Sequence, residues 1–534
     1  MKELPYGSFK VFGELSRRME KSYHRLMTSK IYSLGYLLND TLSAPKQIEP
    51  EAHPGVFGHT GQQSGRYLLA LIAHQCFFGL QIPRIERIAK AVLVEQRPDG
   101  NFGPLRTISS AHRDDFCCMS GQSWLLKAFL ELYLLFKEQP YLEAAMRLVD
   151  WYKRVLPAFD RPEYKTQQPP GYLSWVTMNL DGVVLLYRIT KKEKYLDLAN
   201  YLADLTLPYG PFHTHHFLSS YRGLLDLYET TKSKDVLKKV TSTWGKIKKE
   251  AVLPTGGICE LFPISPRDEG CSEADLVRVA LSLFRATGEG EFMDMAERAL
   301  LNALFMDQVP NGGFTFRKNI DRGRATSGFL HAGRDEAFHC CTLHAPQALL
   351  KAAQHLITFN SDTVWINLFF PCSARFELQK DMLLEVNVQT RYPQDEFIQI
   401  IINPQRKQKF QLKVRIPEFV NFTEISINNI YTEPTFEKGY ASFSRIWKKG
   451  DRVQVRFTLR YRYEKTQLNN IHTTEDSESN VKTTPEVNAK KDRARQTFSY
   501  GPLCLASESN EAPLALKPIA SVSEYHNFDV RFIH

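Results

Sequence analysis

Four stretches of this chain repeat one pattern, and that repetition limits the fold more than any other feature. Leu130-Glu131-Leu132-Tyr133, Val184-Leu185-Leu186-Tyr187, Leu225-Asp226-Leu227-Tyr228 and Leu281-Ser282-Leu283-Phe284 each end an apolar run on an aromatic residue. Another apolar residue follows eight positions later, at Tyr141, Tyr195, Val236 and Phe292, after a short polar turn such as Thr190-Lys191-Lys192-Glu193-Lys194 or Thr287-Gly288-Glu289-Gly290. The second runs carry apolar residues three and four apart, as in Leu142, Ala145, Met146 and Val149, which is helical spacing. Four helical hairpins in one register must bury their apolar faces against one another. Further copies are expected at 66–96, ending in the turn Pro98-Asp99-Gly100, and at 346–358. About six hairpins suffice to close an (α/α)6 toroid, whereas an open solenoid has near-constant repeat length. The connections here vary and carry the unusual residues, which suits a barrel whose loops build a site.

After about residue 360 the pattern alternates with period two: Val364–Leu368, Leu384–Val388, Phe397–Ile402, Phe410–Ile416, Glu424–Ile427 and Arg452–Phe457. Short strands separated by Pro- and Asn-rich turns predict an antiparallel β-sandwich. The expected organisation is therefore a helical toroid domain over 1–360 and a β-sandwich over 361–534. Residues 464–496 hold too little apolar surface to fold and are expected to form a mobile loop. Arg415 and Arg456, both on strands, are expected to face solvent.

At 534 residues, two or three domains are the prior. Apolar residues make up 43% and charged residues 24%, as in a soluble globular protein, and no apolar run is long enough for a membrane helix. The start, Met1-Lys2-Glu3-Leu4-Pro5-Tyr6, lacks the apolar core of a secretory signal, so the chain is expected to be cytoplasmic, or periplasmic or secreted if a signal has been removed. The net charge of +9 is spread along the chain with no basic, aromatic-interleaved stripe, so neither a nucleic acid nor a membrane is an expected partner. Nine cysteines at irregular positions argue for reduced thiols over a disulfide framework.

Two cysteine-bearing motifs stand out: Glu269-Gly270-Cys271, and about seventy residues later Cys340-Cys341. Three thiolates and a carboxylate are a donor set for tetrahedral zinc. The spacing is not that of a common zinc finger, and buried cysteines also pack as small hydrophobes, so both readings stand on spacing alone.

Cys271-Ser272-Glu273-Ala274-Asp275, Met295-Ala296-Glu297-Arg298-Ala299-Leu300-Leu301-Asn302 and Phe338-His339-Cys340-Cys341 together resemble the β-L-arabinofuranosidase family of zinc-dependent glycoside hydrolases, family 127 and its relatives. The likeness extends to Gly256-Gly257, to His213-Thr214-His215 and to Tyr500-Gly501-Pro502-Leu503. The resemblance implies an (α/α)6 barrel with trailing β-sandwiches and a retaining exo-hydrolysis that releases a terminal β-L-arabinofuranose or similar furanosidic sugar from an oligosaccharide or glycoconjugate. It implies Cys340 as a zinc-bound nucleophile, Glu269, Cys271 and Cys341 as the other zinc ligands, and Glu260 as the general acid and base. A metal-bound thiol is deprotonated at neutral pH, where a thiol of ordinary pKa is only a few per cent thiolate, so the chemistry is coherent. Read without the resemblance, Glu260 is equally a surface glutamate.

His213 and His215, with His216 beside them, are candidates to bind sugar hydroxyls or are solvated loop histidines; His344 is a candidate for a substrate or ligand-supporting hydrogen bond. Cys117-Cys118 and the aromatics Trp124, Trp175, Tyr172 and Phe102 are expected in the core. The rival readings are a non-catalytic carbohydrate-binding or scaffold protein with a structural zinc, and a toroid glycosidase acting on another sugar.

Overall fold

The computed structural model describes residues 1–43, 59–104, 108, 112–165, 171–210, 212–253, 256–261, 267–315, 318–319, 324–325, 336–420, 422–466 and 495–505. Most of the stretch expected to be a mobile loop, 467–494, lies outside them.

The repeated aromatic closes a helix at the same step in each hairpin. Tyr133, Tyr187, Tyr228 and Phe284 each accept, through the backbone carbonyl, a hydrogen bond from a residue four positions on: Lys137, Lys191, Lys232 and Gly288. Those residues, and Gly79 in the hairpin before them, adopt the left-handed conformation that ends a helix and reverses the chain. The hairpins so formed pair Gln62–Phe78 with Pro83–Leu93, Arg113–Phe136 with Gln139–Val155, Leu180–Thr190 with Glu193–Leu205, Thr214–Thr231 with Lys234–Glu250, and Gly270–Thr287 with Glu291–Ala299.

The first helix of each pair lines the inside. Every residue from Gln62 to Phe77, from Asp115 to Leu130 and from Thr214 to Leu225 is buried. The second helices bury one stripe only, such as Ile85, Ile88, Ala89 and Val92, and form the outer layer. The expected hairpin at 346–358 is instead one helix, Cys341–Gln354, followed directly by the short sandwich strands Ile357–Phe359 and Thr363–Ile366. Its outer partner is the N-terminal helix Glu14–Thr28, which buries Leu15, Met19, Ser22 and Leu26. The Cys341 helix packs on both the Gly270 and the Gln62 helices, so the ring of inner helices closes and the structure is a toroid.

Two sheets follow. One holds six strands in the order Lys2–Glu3, Ile357–Phe359, Thr363–Ile366, Gln408–Arg415, Tyr440–Trp447, Thr435–Glu437. The other holds seven, from Ile430–Tyr431 through Thr423–Ile427, Asp451–Phe457, Phe397–Pro404, Met382–Thr390 and Cys372–Gln379 to Phe9–Val11. Pairing is antiparallel except between Gln408–Arg415 and Thr363–Ile366. Inward residues alternate along each strand, and Phe359 of one sheet stacks on Phe376 of the other at 4.3 Å. All six strands read from the alternation are present; the strands at 357–359, 372–379, 430–431, 435–437 and 440–447 and the two N-terminal strands add to them.

Arg415 does not face solvent. It is fully buried, donating to the Asn367 carbonyl, to Asp294 and, at 2.7 Å, to Glu297, with its guanidinium over the Phe369 ring. Two acidic residues on the Glu291 helix hold a cation that period-two reading assigns to the outer face. Arg456 is exposed, as expected. Arg415→Met leaves two carboxylates buried without their cation, and is expected to destabilise the fold by about 3–5 kcal/mol. Arg456→Met is expected to change stability by less than about 0.5 kcal/mol. Chemical unfolding of both variants tests the contrast, and equal midpoints would show that the buried pairs contribute nothing.

Candidate active site

Because each hairpin returns the chain to its starting level, the inner helices all begin at one end of the toroid. The loops at the opposite end are two to four residues long, whereas those leading into inner helices are long. The end with long loops therefore collects the helix N-termini, whose unpaired N–H groups favour anionic side chains.

Two of these starts carry the cysteine motifs. Glu269 caps the Gly270 helix and Cys271 lies in its first turn; Cys340 caps the helix that Cys341 begins. Donor atoms of Glu269, Cys271, Cys340 and Cys341 all lie within 4.8 Å of one another, and all four residues are buried. Gly270 makes this approach possible, since a Cβ there would stand 2.7 Å from the Thr315 carbonyl oxygen and 3.1 Å from Cys341 Cβ. Ser272 donates to Glu269 at 2.9 Å and aims its carboxylate.

The sulfurs are not equivalent. Burial opposes ionisation of Cys340, but the Cys271 and Cys341 thiols hydrogen-bond to it and hold it down to about 5. Burial pushes Cys271 up to about 11 and raises Cys341 as well. Cys340 is also 6% exposed, whereas Cys271 and Cys341 are 0%.

Glu260 is buried, not on the surface. Its segment is clamped between the cluster and the Thr214 helix: Thr214 N donates to the Glu260 carbonyl at 2.9 Å, Cys259 bridges to Asp268, and Leu261 bridges to His213. Glu273, one turn into the Gly270 helix, accepts from Ile258 N at 3.0 Å. A Cβ on Gly257 would stand 2.3 Å from that carboxylate, so the glycine lets the segment carrying Glu260 lie against the helix.

The histidines divide. His213 keeps 18% of its side chain exposed and places Nε2 3.6 Å from Glu269. His215 and His344 lie deeper, both on Asp275: His215 Nδ1 at 2.6 Å from one carboxylate oxygen and His344 Nε2 at 3.0 Å from the other. Donor atoms of His215, Asp275 and His344 also lie within 4.8 Å of one another. Ser219 and Arg222 donate to the same two Asp275 oxygens, so that carboxylate is the hub of a hydrogen-bonded network and poorly placed to bind an ion. Burial lowers His344 well below its ordinary pKa, with Asp275 opposing. His216 stacks on Trp175 at 4.7 Å, and burial lowers its pKa too.

Sequence reading passed over Arg66, Asp275 and Arg222. Each is a charged residue inside an inner helix that is otherwise buried, which is the signal that could have found them. Trp124, Trp175, Phe102, Cys117 and Cys118 are buried as expected, whereas Tyr172 is only half-buried at the edge of the core. Among the described residues, no helix is long and apolar enough to cross a membrane.

Sequence profiles of known families agree with this architecture. The profile of the β-L-arabinofuranosidase GH127 catalytic domain matches residues 83–352, and that of the GH127 middle domain matches 363–459. No curated protein matches the chain. Among solved structures, a GH127 β-arabinofuranosidase is 20% identical with a TM-score of 0.73, over 94% of this chain and 84% of its own. A GH127 β-L-arabinofuranosidase from Geobacillus stearothermophilus T6 is 18% identical with a TM-score of 0.72, over 93% and 86%. At such identities these two share the fold. The catalytic-domain profile by itself spans half of the sequence, and the chain therefore belongs to the GH127 β-L-arabinofuranosidase family of glycoside hydrolases.

Proposed function

We propose that the chain is a retaining exo-glycosidase that removes a terminal β-L-arabinofuranose, or a closely similar furanosidic sugar, from an oligosaccharide or glycoconjugate. The observation that carries this reading is the meeting of three sulfurs and a carboxylate at two helix starts, with one sulfur set apart by its exposure. The donor set suits zinc: four ligands, soft thiolates in the majority, and a separation small enough for one tetrahedral ion. A zinc ion held by Glu269, Cys271, Cys340 and Cys341 would keep its thiol ligands deprotonated and temper their basicity.

Cys340 Sγ then attacks the anomeric carbon as the bond to the aglycone oxygen breaks, and Glu260 gives its proton to that oxygen. In the second step Glu260 takes a proton from water, the water oxygen bonds to the anomeric carbon, and the C–S bond breaks to return the thiolate. Two inversions give net retention, with sulfur in place of the usual second carboxylate. The burial of Glu260 suits a group that must hold a proton near neutral pH. His213, the one of the three candidate histidines with appreciable exposure, is assigned to the sugar, and His215 and His344 to positioning behind it.

Purified protein is expected to hold one zinc per chain by mass spectrometry, and Cys340→Ser to abolish turnover of an aryl β-L-arabinofuranoside while the fold persists. An active Cys340→Ser beside a Cys271→Ser that melts would make the metal structural and refute the nucleophile. Glu260→Gln is expected to slow substrates with poor leaving groups by about 10²–10⁴-fold and those with good leaving groups far less. Equal losses would remove Glu260 from the acid role. Gly270→Ala, by forcing apart the two helix starts, is expected to lower both zinc content and melting temperature, and unchanged values for both would refute the close-approach argument.

A further inference from the structure

The cluster proposed to hold zinc carries more negative charge than the ion can neutralise. Three thiolates and a carboxylate around Zn²⁺ leave a formal charge of −2 inside a buried site, and the cost of burying charge rises steeply with its magnitude. Arg66 lies against this cluster. It is 2% exposed, its Nη1 reaches Cys271 Sγ at 3.4 Å, and its Nη2 stands 2.9 Å from His215 Nε2. Its guanidinium lies 3.9 Å from the centre of the Trp124 ring, whose other neighbours include the Lys127 ammonium at 4.7 Å and the His215 ring stacked at 5.7 Å.

These contacts are directional. A guanidinium cannot accept a hydrogen bond, so His215 Nε2 accepts from Arg66 and His215 donates its Nδ1 proton to Asp275. Asp275 in turn is held by Arg222 and Ser219. The planar fork, the aromatic face and the imidazole together fix where the cation sits. An ammonium on a flexible stem supplies the charge without that fork.

We propose that Arg66 is the positioning residue that sets the charge and the sulfur asymmetry of the metal centre: it offsets one of the two excess negative charges and, by donating to Cys271, weakens that sulfur as an electron donor, so that Cys340 remains the more nucleophilic thiolate. The proposal rests on the zinc-site reading above and adds a residue that is neither ligand nor acid.

Zinc affinity measured by chelator competition tests it, alongside the sulfur-to-metal absorption of the protein loaded with Co²⁺. Arg66→Met, lacking both charge and donor, is expected to bind zinc at least tenfold more weakly and to move that absorption to longer wavelength, because Cys271 sulfur regains its donor strength. Arg66→Lys, which keeps the charge, is expected to stay within about threefold of the parent protein, as charge is the larger part of the effect. An Arg66→Met protein with affinity within twofold of the parent and an unmoved absorption overturns the proposal. Should Arg66→Met fail to fold, Arg66→Lys decides: a tenfold loss there overturns it. A parent protein that takes up no zinc or Co²⁺ refutes the metal reading itself, an outcome distinct from either variant result.

Discussion

Two neighbouring helices begin at almost the same point, and the grouping of three sulfurs and a carboxylate depends on that convergence. Helix starts repel one another, since each ends in unpaired N–H groups and a partial positive charge. Placing Glu269 and Cys271 on one start and Cys340 and Cys341 on the other turns that repulsion into attraction for shared anionic groups. Gly270 removes the last steric obstacle. The convergence is also a product of topology. It needs two adjacent inner helices that run in the same direction, and hairpins with one fixed reversal, made at Lys137, Lys191, Lys232 and Gly288, deliver that direction all around the ring.

A buried anionic cluster needs compensating charge, and the toroid supplies it from the other inner helices. Arg66 comes from the Gln62 helix, Arg222 and His215 from the Thr214 helix, and Asp275 from the Gly270 helix itself. Asp275 ties these together: His215, Ser219, Arg222 and His344 converge on its two oxygens, and its pKa is driven well below the ordinary carboxylate range by Arg222 and the two histidines against the cost of burial. Arg222 also donates to Asp181 on the Leu180 helix, which pairs with Lys127 on the Arg113 helix, so the network reaches all six inner helices and the polar floor under the cysteines also fixes the mutual rotation of the helices that carry them.

How much of this was legible in the sequence follows from what each feature depends on. The hairpins were legible because the aromatic, the turn and the next apolar residue recur within a dozen positions. The ring closure was not: the sixth inner helix takes its partner from residues 14–28, more than three hundred positions away, and no local pattern announces it. The grouping of Glu269, Cys271, Cys340 and Cys341 was open to expectation because Glu-x-Cys and Cys-Cys stand out in polar surroundings, although spacing alone left packing as small hydrophobes an equal alternative. Arg66 and Asp275 were missed for the opposite reason, since a lone charge in an apolar helix reads as a flaw until its partners on other helices are known. Arg415 was misread outright. Period-two alternation assigns a side chain to a face, and it presumes that the face is solvent, yet this one abuts the outer helix of the last full hairpin.

That contact links the second domain to the chemistry of the first. Asp294 and Glu297, which grip Arg415, sit on the Glu291 helix, the outer partner of the helix that begins with Glu269 and Cys271. Tyr392, from the loop after a strand of the other sheet, donates to Glu297 at 3.2 Å, so both sheets reach the same helix. A shift of this outer helix would be transmitted to its inner partner through a close-packed interface that has little room to absorb it. The sandwich therefore acts as a brace on the one hairpin whose inner end supplies half of the proposed metal ligands. Strand register, set by alternating apolar residues far from the active end, is thereby coupled to the spacing between two helix starts, on which the grouping of the three sulfurs depends.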